Sequence, residues 1–111
     1  MSALTPDTLL KIIAEPTRLR IVLLLQQHPE LCVCHLQQAL RLPQPNVSRH
    51  LKPLRTQEIR IDRRAGQWIY YQLNPQLPDW AQTILQGLAE GAAAHQLLDE
   101  LAPMDLQPLC G

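Results

Sequence analysis

The chemistry available to this 111-residue chain is concentrated in Glu30-Leu31-Cys32-Val33-Cys34-His35-Leu36. Two cysteines two positions apart stand where a helix is predicted to begin. Thiols at a helix N-terminus feel its positive end, which favours the thiolate. Thiolates are the donors that soft metals and metalloids require. On a regular helix, side chains i and i+2 diverge by roughly 200°, so two sulfurs share one ion only if the first turn is open. Capture of an ion is therefore expected to deform the start of this helix. The plainer reading is that both are small buried side chains, as unpaired cysteines commonly are. A disulfide between residues two apart is strained, which ranks redox sensing below ion capture. Cys110 lies one residue from the end, after Pro103 and Pro108. On position alone it reads as a disordered terminal thiol. No Ser/His/Asp or Cys/His constellation, phosphate loop or carboxylate pair stands out in the sequence, so an enzyme is not expected.

The pattern of elements shows what must position these thiols. Thr5-Pro6-Asp7 reads as a helix start, with a hydroxyl cap, a proline at the first position and an acid in the first turn. Pro16 ends that helix and opens the next, whose Leu19 and Ile21–Leu25 are apolar on most sides and predict burial. A short third helix is predicted over about Val33–Leu40, broken by Leu42-Pro43. A fourth starts near Gln44. Its Val47, Leu51 and Leu54 form one apolar stripe, while Pro45, Ser48, Arg49 and Lys52 face the other way. Two short helices joined tightly, the second polar and basic outward, make a helix-turn-helix pattern. Pro53 is expected to bend or end the fourth helix. Ile59–Arg63 alternates, Gln67–Leu73 is rich in strand formers, and Arg64-Ala65-Gly66 sits between them, so a hairpin wing with a basic tip follows. A long helix is predicted from about Pro78 to Leu101. The fold class is thus mainly α with a β-hairpin: a winged helix-turn-helix in a single domain over 1–111, with a flexible tail from about 103.

Formal net charge is zero, but unevenly so. Residues 40–67 hold seven basic side chains against two acidic ones, whereas residues 68–111 hold five acidic and no Lys or Arg. A basic middle segment fits a polyanion partner. The longest aliphatic run, Ile21–Leu25, is far below the roughly 20 residues that span a bilayer. No signal-peptide pattern opens the chain, and three cysteines do not make a disulfide framework. A cytoplasmic protein with no membrane partner is expected. One core of this size is modestly stable alone, which favours a dimer.

Glu30–Leu36 closely resembles the ELCVCDL metal-binding box of the ArsR/SmtB family of metalloregulatory repressors. Gln44-Pro45-Asn46-Val47-Ser48-Arg49-His50-Leu51 resembles that family's recognition helix, Asp62–Trp68 its wing, and Ala14–Ile21 a further stretch. The resemblance covers roughly residues 4–101. It implies a homodimer, joined through the first and last helices, that leaves double-stranded operator DNA when a toxic ion binds. The box points to the arsenic-responsive branch, with As(III) or Sb(III) as inducer at Cys32 and Cys34. On this reading Gln44, Asn46, Ser48 and Arg49 contact the major groove and phosphates, with His50 a partly buried or phosphate-touching neighbour. Lys52 and Arg55 contact the backbone, and Arg63, Arg64 and Gln67 place the wing. The sequence departs from the family pattern at Gln37, where a third cysteine is usual, at His35 for Asp, at Glu58 for the helix-ending glycine, and at Pro43 for a capping hydroxyl. Cys110 of either protomer then becomes the candidate third ligand. Two alternatives stay open: a repressor answering zinc, cadmium or lead through Cys32, Cys34 and His35, or a thiol redox sensor. The zinc branch is weakened because Asp79 and His95 lack an accompanying histidine at Ala81. The cadmium/lead branch is weakened because residues 1–31 contain no cysteine.

Overall fold

A computed structural model describes residues 4–106. Helix α1 (Pro6–Ile13) starts as the sequence predicts: the Thr5 hydroxyl accepts from Thr8 N, Pro6 takes the first position and Asp7 lies in the first turn. Asp7 is also hydrogen-bonded to the Thr5 hydroxyl, which holds its carboxyl below the usual aspartate range. Helix α2 (Pro16–Gln27) opens on Pro16 with Glu15 as its cap. Ile21 to Leu25 are all buried, so this helix is the axis around which the domain packs. Helix α3 (Val33–Leu40) and helix α4 (Gln44–Thr56) are joined by Arg41-Leu42-Pro43, with Arg41 at φ 56. Leu36 and Ala39 of α3 and Val47, Leu51 and Leu54 of α4 enter the same core as α2.

Pro53 does not end α4, which runs on to Thr56. The helix closes two residues later in a Schellman arrangement: Ile59 N donates to the Leu54 carbonyl at 2.8 Å and Glu58 N to the Arg55 carbonyl at 2.9 Å. Glu58 takes φ 57 there, a conformation that normally selects glycine. Leu54 and Ile59, both fully buried, make the apolar contact that seals the motif.

Strands β1 (Arg60–Ala65) and β2 (Trp68–Leu73) pair antiparallel with Arg63 opposite Tyr70 and Ala65 opposite Trp68. The turn is Gly66-Gln67, with Gly66 at φ 64. Strand β1 therefore includes Arg64 and Ala65, two residues further than the alternation predicts. Leu31 pairs with Tyr71 as an isolated bridge, so the segment leading to α3 adds a third, one-residue rung to the wing.

Helix α5 (Asp79–Ala94) is shorter than predicted. His95 caps it and is exposed, Gln96 takes φ 55, and a turn of 3₁₀ helix, Leu97–Glu100, follows. The break lets Leu98, Leu101 and Met104 fold back onto the core. It also sets Glu100 against Arg20 at 2.7 Å. Apolar burial by these three side chains outweighs the helical tendency of the alanine run before them. Beyond this turn the chain touches α3: Ala102 N donates to the Ala39 carbonyl and Asp105 N to Gln38 Oε1. No helix among the described residues is long and apolar enough to cross a membrane.

Candidate metalloid site and nucleic-acid interface

Cys32 is not inside α3 but caps it, with extended backbone at φ −94, ψ 172. That single offset decides the geometry. Leaving the helical region swings the Cys32 side chain out of helical phase, and its Sγ lies 3.0 Å from Cys34 Sγ. The sulfurs therefore meet because Cys32 stands outside the regular turn, the open geometry that the spacing requires. Two thiolates on one ion, at bonds of ~2.3 Å and a near-tetrahedral angle, stand roughly 3.8 Å apart. The observed pair has to spread by less than about 1 Å, a matter of side-chain torsions rather than of unwinding a helix.

His35 completes the cluster. Its Nδ1 accepts from Cys32 N at 3.0 Å and lies 3.4 Å from Cys32 Sγ. This contact is the backward half of a capping box, with imidazole where Glu or Gln is usual. It uses the Nδ1 lone pair of the ring. The donor atoms of Cys32, Cys34 and His35 all lie within 4.8 Å of one another. The set suits a thiophilic ion, since both sulfurs face one point. The imidazole can join through Nδ1 only by surrendering the cap. Cys32 and His35 are buried, and Cys34 is the more exposed of the two cysteines. Cys110, the expected third ligand, lies outside the described residues.

The strip just before the cysteines is tied to the wing. Leu31 N donates to the Tyr71 carbonyl at 3.0 Å and Tyr71 N to the Leu31 carbonyl at 2.7 Å. Glu30 accepts from Arg63 through both oxygens, at 2.6 Å from Nε and 2.8 Å from an Nη. The guanidinium holds the Glu30 carboxyl below the ordinary glutamate range, and the carboxylate in turn raises Arg63. Arg63 also stacks 5.0 Å from the centre of the Tyr70 ring. Arg60, buried, packs 4.5 Å from the centre of the Tyr71 ring, pairs with Asp62 and donates through Nε to the Leu51 carbonyl of α4 at 3.0 Å. Sequence reasoning assigned no role to Arg60 and Tyr71. The only available signal was their strand parity, and their pairing becomes visible once the hairpin register is known.

The residues expected to meet DNA fall into two groups. Gln44, Ser48, Arg49, Lys52 and Arg55 are exposed along α4, and Asn46 is half-exposed among them. Arg64 and Gln67 are exposed at the hairpin end. Both α4 and the wing thus carry polar and basic side chains outward. Arg63 belongs to the same wing but is engaged by Glu30. His50 turns away from this face, with Nδ1 3.4 Å from Glu15 Oε2, an ion-pair distance without hydrogen-bond alignment. Pro43 brings no hydroxyl to the start of α4. Its carbonyl instead accepts from Asn46 N and Val47 N at 3.1 and 3.2 Å.

Residues 15–59, which span α2 to the end of α4, match the family described as bacterial regulatory protein, arsR family. The chain is 51% identical over 85 residues to the arsenical resistance operon repressor of Escherichia coli K12, covering 77% of this chain and 73% of that one. It is 48% identical over 87 residues to the arsenic resistance transcriptional regulator ArsR1 of Pseudomonas putida KT2440, covering 78% of this chain and 68% of that one. Among solved structures, the transcriptional repressor PagR of Bacillus anthracis superposes with a TM-score of 0.61 at 39% identity, over 72% of this chain and 87% of that one.

Proposed function

The chain belongs to the arsR family of bacterial regulatory proteins, transcriptional regulators rather than enzymes, and we propose that it is a cytoplasmic repressor that releases operator DNA when trivalent arsenic or antimony occupies Cys32 and Cys34. The observation that carries this reading is the convergence of the two sulfurs at the cap of α3, the helix packed directly under α4. Soft trivalent ions prefer sulfur over the oxygen and nitrogen donors that dominate elsewhere on the surface. On this reading a third thiolate is Cys110, of the same or the partner protomer, or the site works with two. The described chain docks on α3 at Asp105, beside Gln38, and Gln38 lies about 6 Å along the helix from Cys34 at a rise of 1.5 Å per residue. Cys110 follows five residues further along the sequence.

For the DNA side, Gln44, Asn46, Ser48 and Arg49 enter the major groove or its phosphates. Lys52 and Arg55 bind the backbone, and Arg63, Arg64 and Gln67 bring the wing to the adjacent phosphates. His50 serves as a packing neighbour that holds the middle of α4 against Glu15. Phosphate contacts set affinity and its salt dependence, while base contacts set sequence choice. A homodimer through α1 and α5 presents two such faces to half-sites one helical turn apart. Leu10 on α1, 54% exposed, and half-buried Trp80, Ile84 and Leu88 on α5 supply apolar surface for it.

The test is an operator gel shift titrated with arsenite and antimonite, using wild type and the variants Cys32→Ser, Cys34→Ser and Cys110→Ser. Wild type is expected to release DNA. The first two variants are expected to bind DNA and ignore the ion, and the third to need at least ~10-fold more ion. Wild-type protein that stays on its operator at saturating ion defeats the proposal. Release by zinc, cadmium or lead but not arsenite hands it to that alternative.

A further inference from the structure

We infer that Glu30 is a positioning residue, whose ion pair with Arg63 makes the strip ending at Cys32 a link between the thiol pair and the DNA-facing wing. The inference deepens the ion-responsive reading above and rests on it. Because the sulfurs already meet, unwinding α3 is not needed to seat an ion, and the signal must leave the site by some other contact. The first residues it meets are Leu31 and Glu30, one and two positions before Cys32. Leu31 is fully buried and exchanges both backbone hydrogen bonds with Tyr71 of β2. Glu30 reaches past β2 to grip Arg63 of β1 with a two-point fork. A bidentate carboxylate–guanidinium contact fixes orientation as well as distance. The strip is thus held to one strand by backbone and to the other by side chain. Moving it moves the wing as a unit.

A second branch leads to the reading helix itself. The Tyr71 ring lies against Arg60, and Arg60 donates to the Leu51 carbonyl within α4. From Cys32 the contacts run through Leu31, Tyr71 and Arg60 to Leu51 without a gap. Packed networks of this kind carry coupling when both sites bias the same element. The Glu30 branch is the one that can be cut cleanly, because the carboxylate lies at the surface and its loss leaves no cavity. Arg63 commits Nε and one Nη to Glu30 and keeps its other Nη for a phosphate.

The test compares wild type, Glu30→Gln, Arg63→Gln and the double variant. Arsenite binding is read directly by calorimetry, and operator affinity is measured with and without saturating arsenite. Glu30→Gln is expected to bind arsenite within about twofold of wild type, yet to lose at least ~5-fold of the ratio between the two operator affinities, the low end of allosteric coupling. The double variant is expected to lose no more of that ratio than either single change. A Glu30→Gln ratio equal to wild type, or losses in the two single variants that multiply in the double, overturns the inference. Failure of wild type to release DNA would instead defeat the ion-responsive reading, so the two failures are told apart by the wild-type lane.

Discussion

Between Glu30 and His35 the polar groups are engaged at short range: carboxylate on guanidinium, backbone on β2, imidazole on the cap N–H, sulfur on sulfur. Along α4 the outward side chains of Gln44, Ser48, Arg49 and Lys52 project from a helix whose inner stripe is fully packed. The first region spends its side chains on the protein, and the second offers them outward. An incoming ion must therefore rearrange existing contacts, which is how binding becomes a signal. A DNA duplex instead meets groups whose removal costs the fold little. Substitutions in the two regions should separate stability from affinity.

The largest effect tests the first region. Leu31→Ala removes a fully buried side chain at the bridge to β2 and should cost about 2–5 kcal/mol, read from urea or thermal unfolding at fixed protein concentration. That is a large share of the roughly 5–15 kcal/mol available to a domain. The matching change on the reading face, Ser48→Ala with Arg49→Ala, should leave stability within about 0.5 kcal/mol. It should weaken operator binding by roughly 10–100-fold, since a good base contact contributes about 1–3 kcal/mol. Equal melting of wild type and Leu31→Ala would erase the contrast, as would unchanged DNA affinity in the double variant.

A smaller change sharpens the comparison at the exit of the reading helix. Glu58 stands at φ 57, where an L-residue costs about 1–2 kcal/mol. Its carbonyl is held by Asn74 Nδ2 at 2.9 Å. Glu58→Gly relieves that strain and adds about 0.5–1 kcal/mol of unfolded-chain entropy, so a net gain of about 0.5–1 kcal/mol is expected as a higher unfolding midpoint. Operator affinity should not fall, because the hydrogen bonds of the motif are backbone bonds. A lower midpoint would mean that the Glu58 side chain stabilises the turn in a way that offsets its backbone strain.

These elements differ in how far the sequence foretold them. The limits of α3, the start of α4, the buried face of α2 and the hairpin follow from proline, glycine and apolar spacing, signals that act within a few residues. The early end of α5 does not. Residues 92–101 read as helix, and only the packing of Leu98, Leu101 and Met104 against distant partners makes the turn at Gln96 favourable. The cysteine pair was legible as chemistry but not as geometry, because the extended backbone of the capping residue Cys32, which no local pattern specifies, sets whether two sulfurs diverge or meet. Glu30 and Arg63 are 33 positions apart. Their pairing depends on Leu31 joining the edge of β2, a contact that no local pattern announces.

The smallest expected effect concerns how the link between the regions is made. Tyr71 bonds Leu31 through its backbone and meets Arg60 with its ring, so its hydroxyl should be dispensable for coupling. Burial raises the hydroxyl above the ordinary tyrosine value of 10.0, with Arg60 pulling it back and Asp62 pushing it further up. Below pH 10 the phenol is neutral in folded and unfolded chains alike, and its stabilisation is fully present. As pH rises above 10 the unfolded chain gives up its proton first, so the folded state loses stability until its own, higher value is passed. Tyr71→Phe keeps the ring and the backbone bridge but removes this titration. Urea midpoints of the two proteins should run parallel from pH 7 to 9 and diverge above 10, with wild type falling more steeply. The ratio of operator affinities with and without arsenite should be the same for both. Parallel alkaline limbs would show that burial of the hydroxyl is not felt. A changed ratio would place the link in the hydroxyl rather than in the ring face and the main chain.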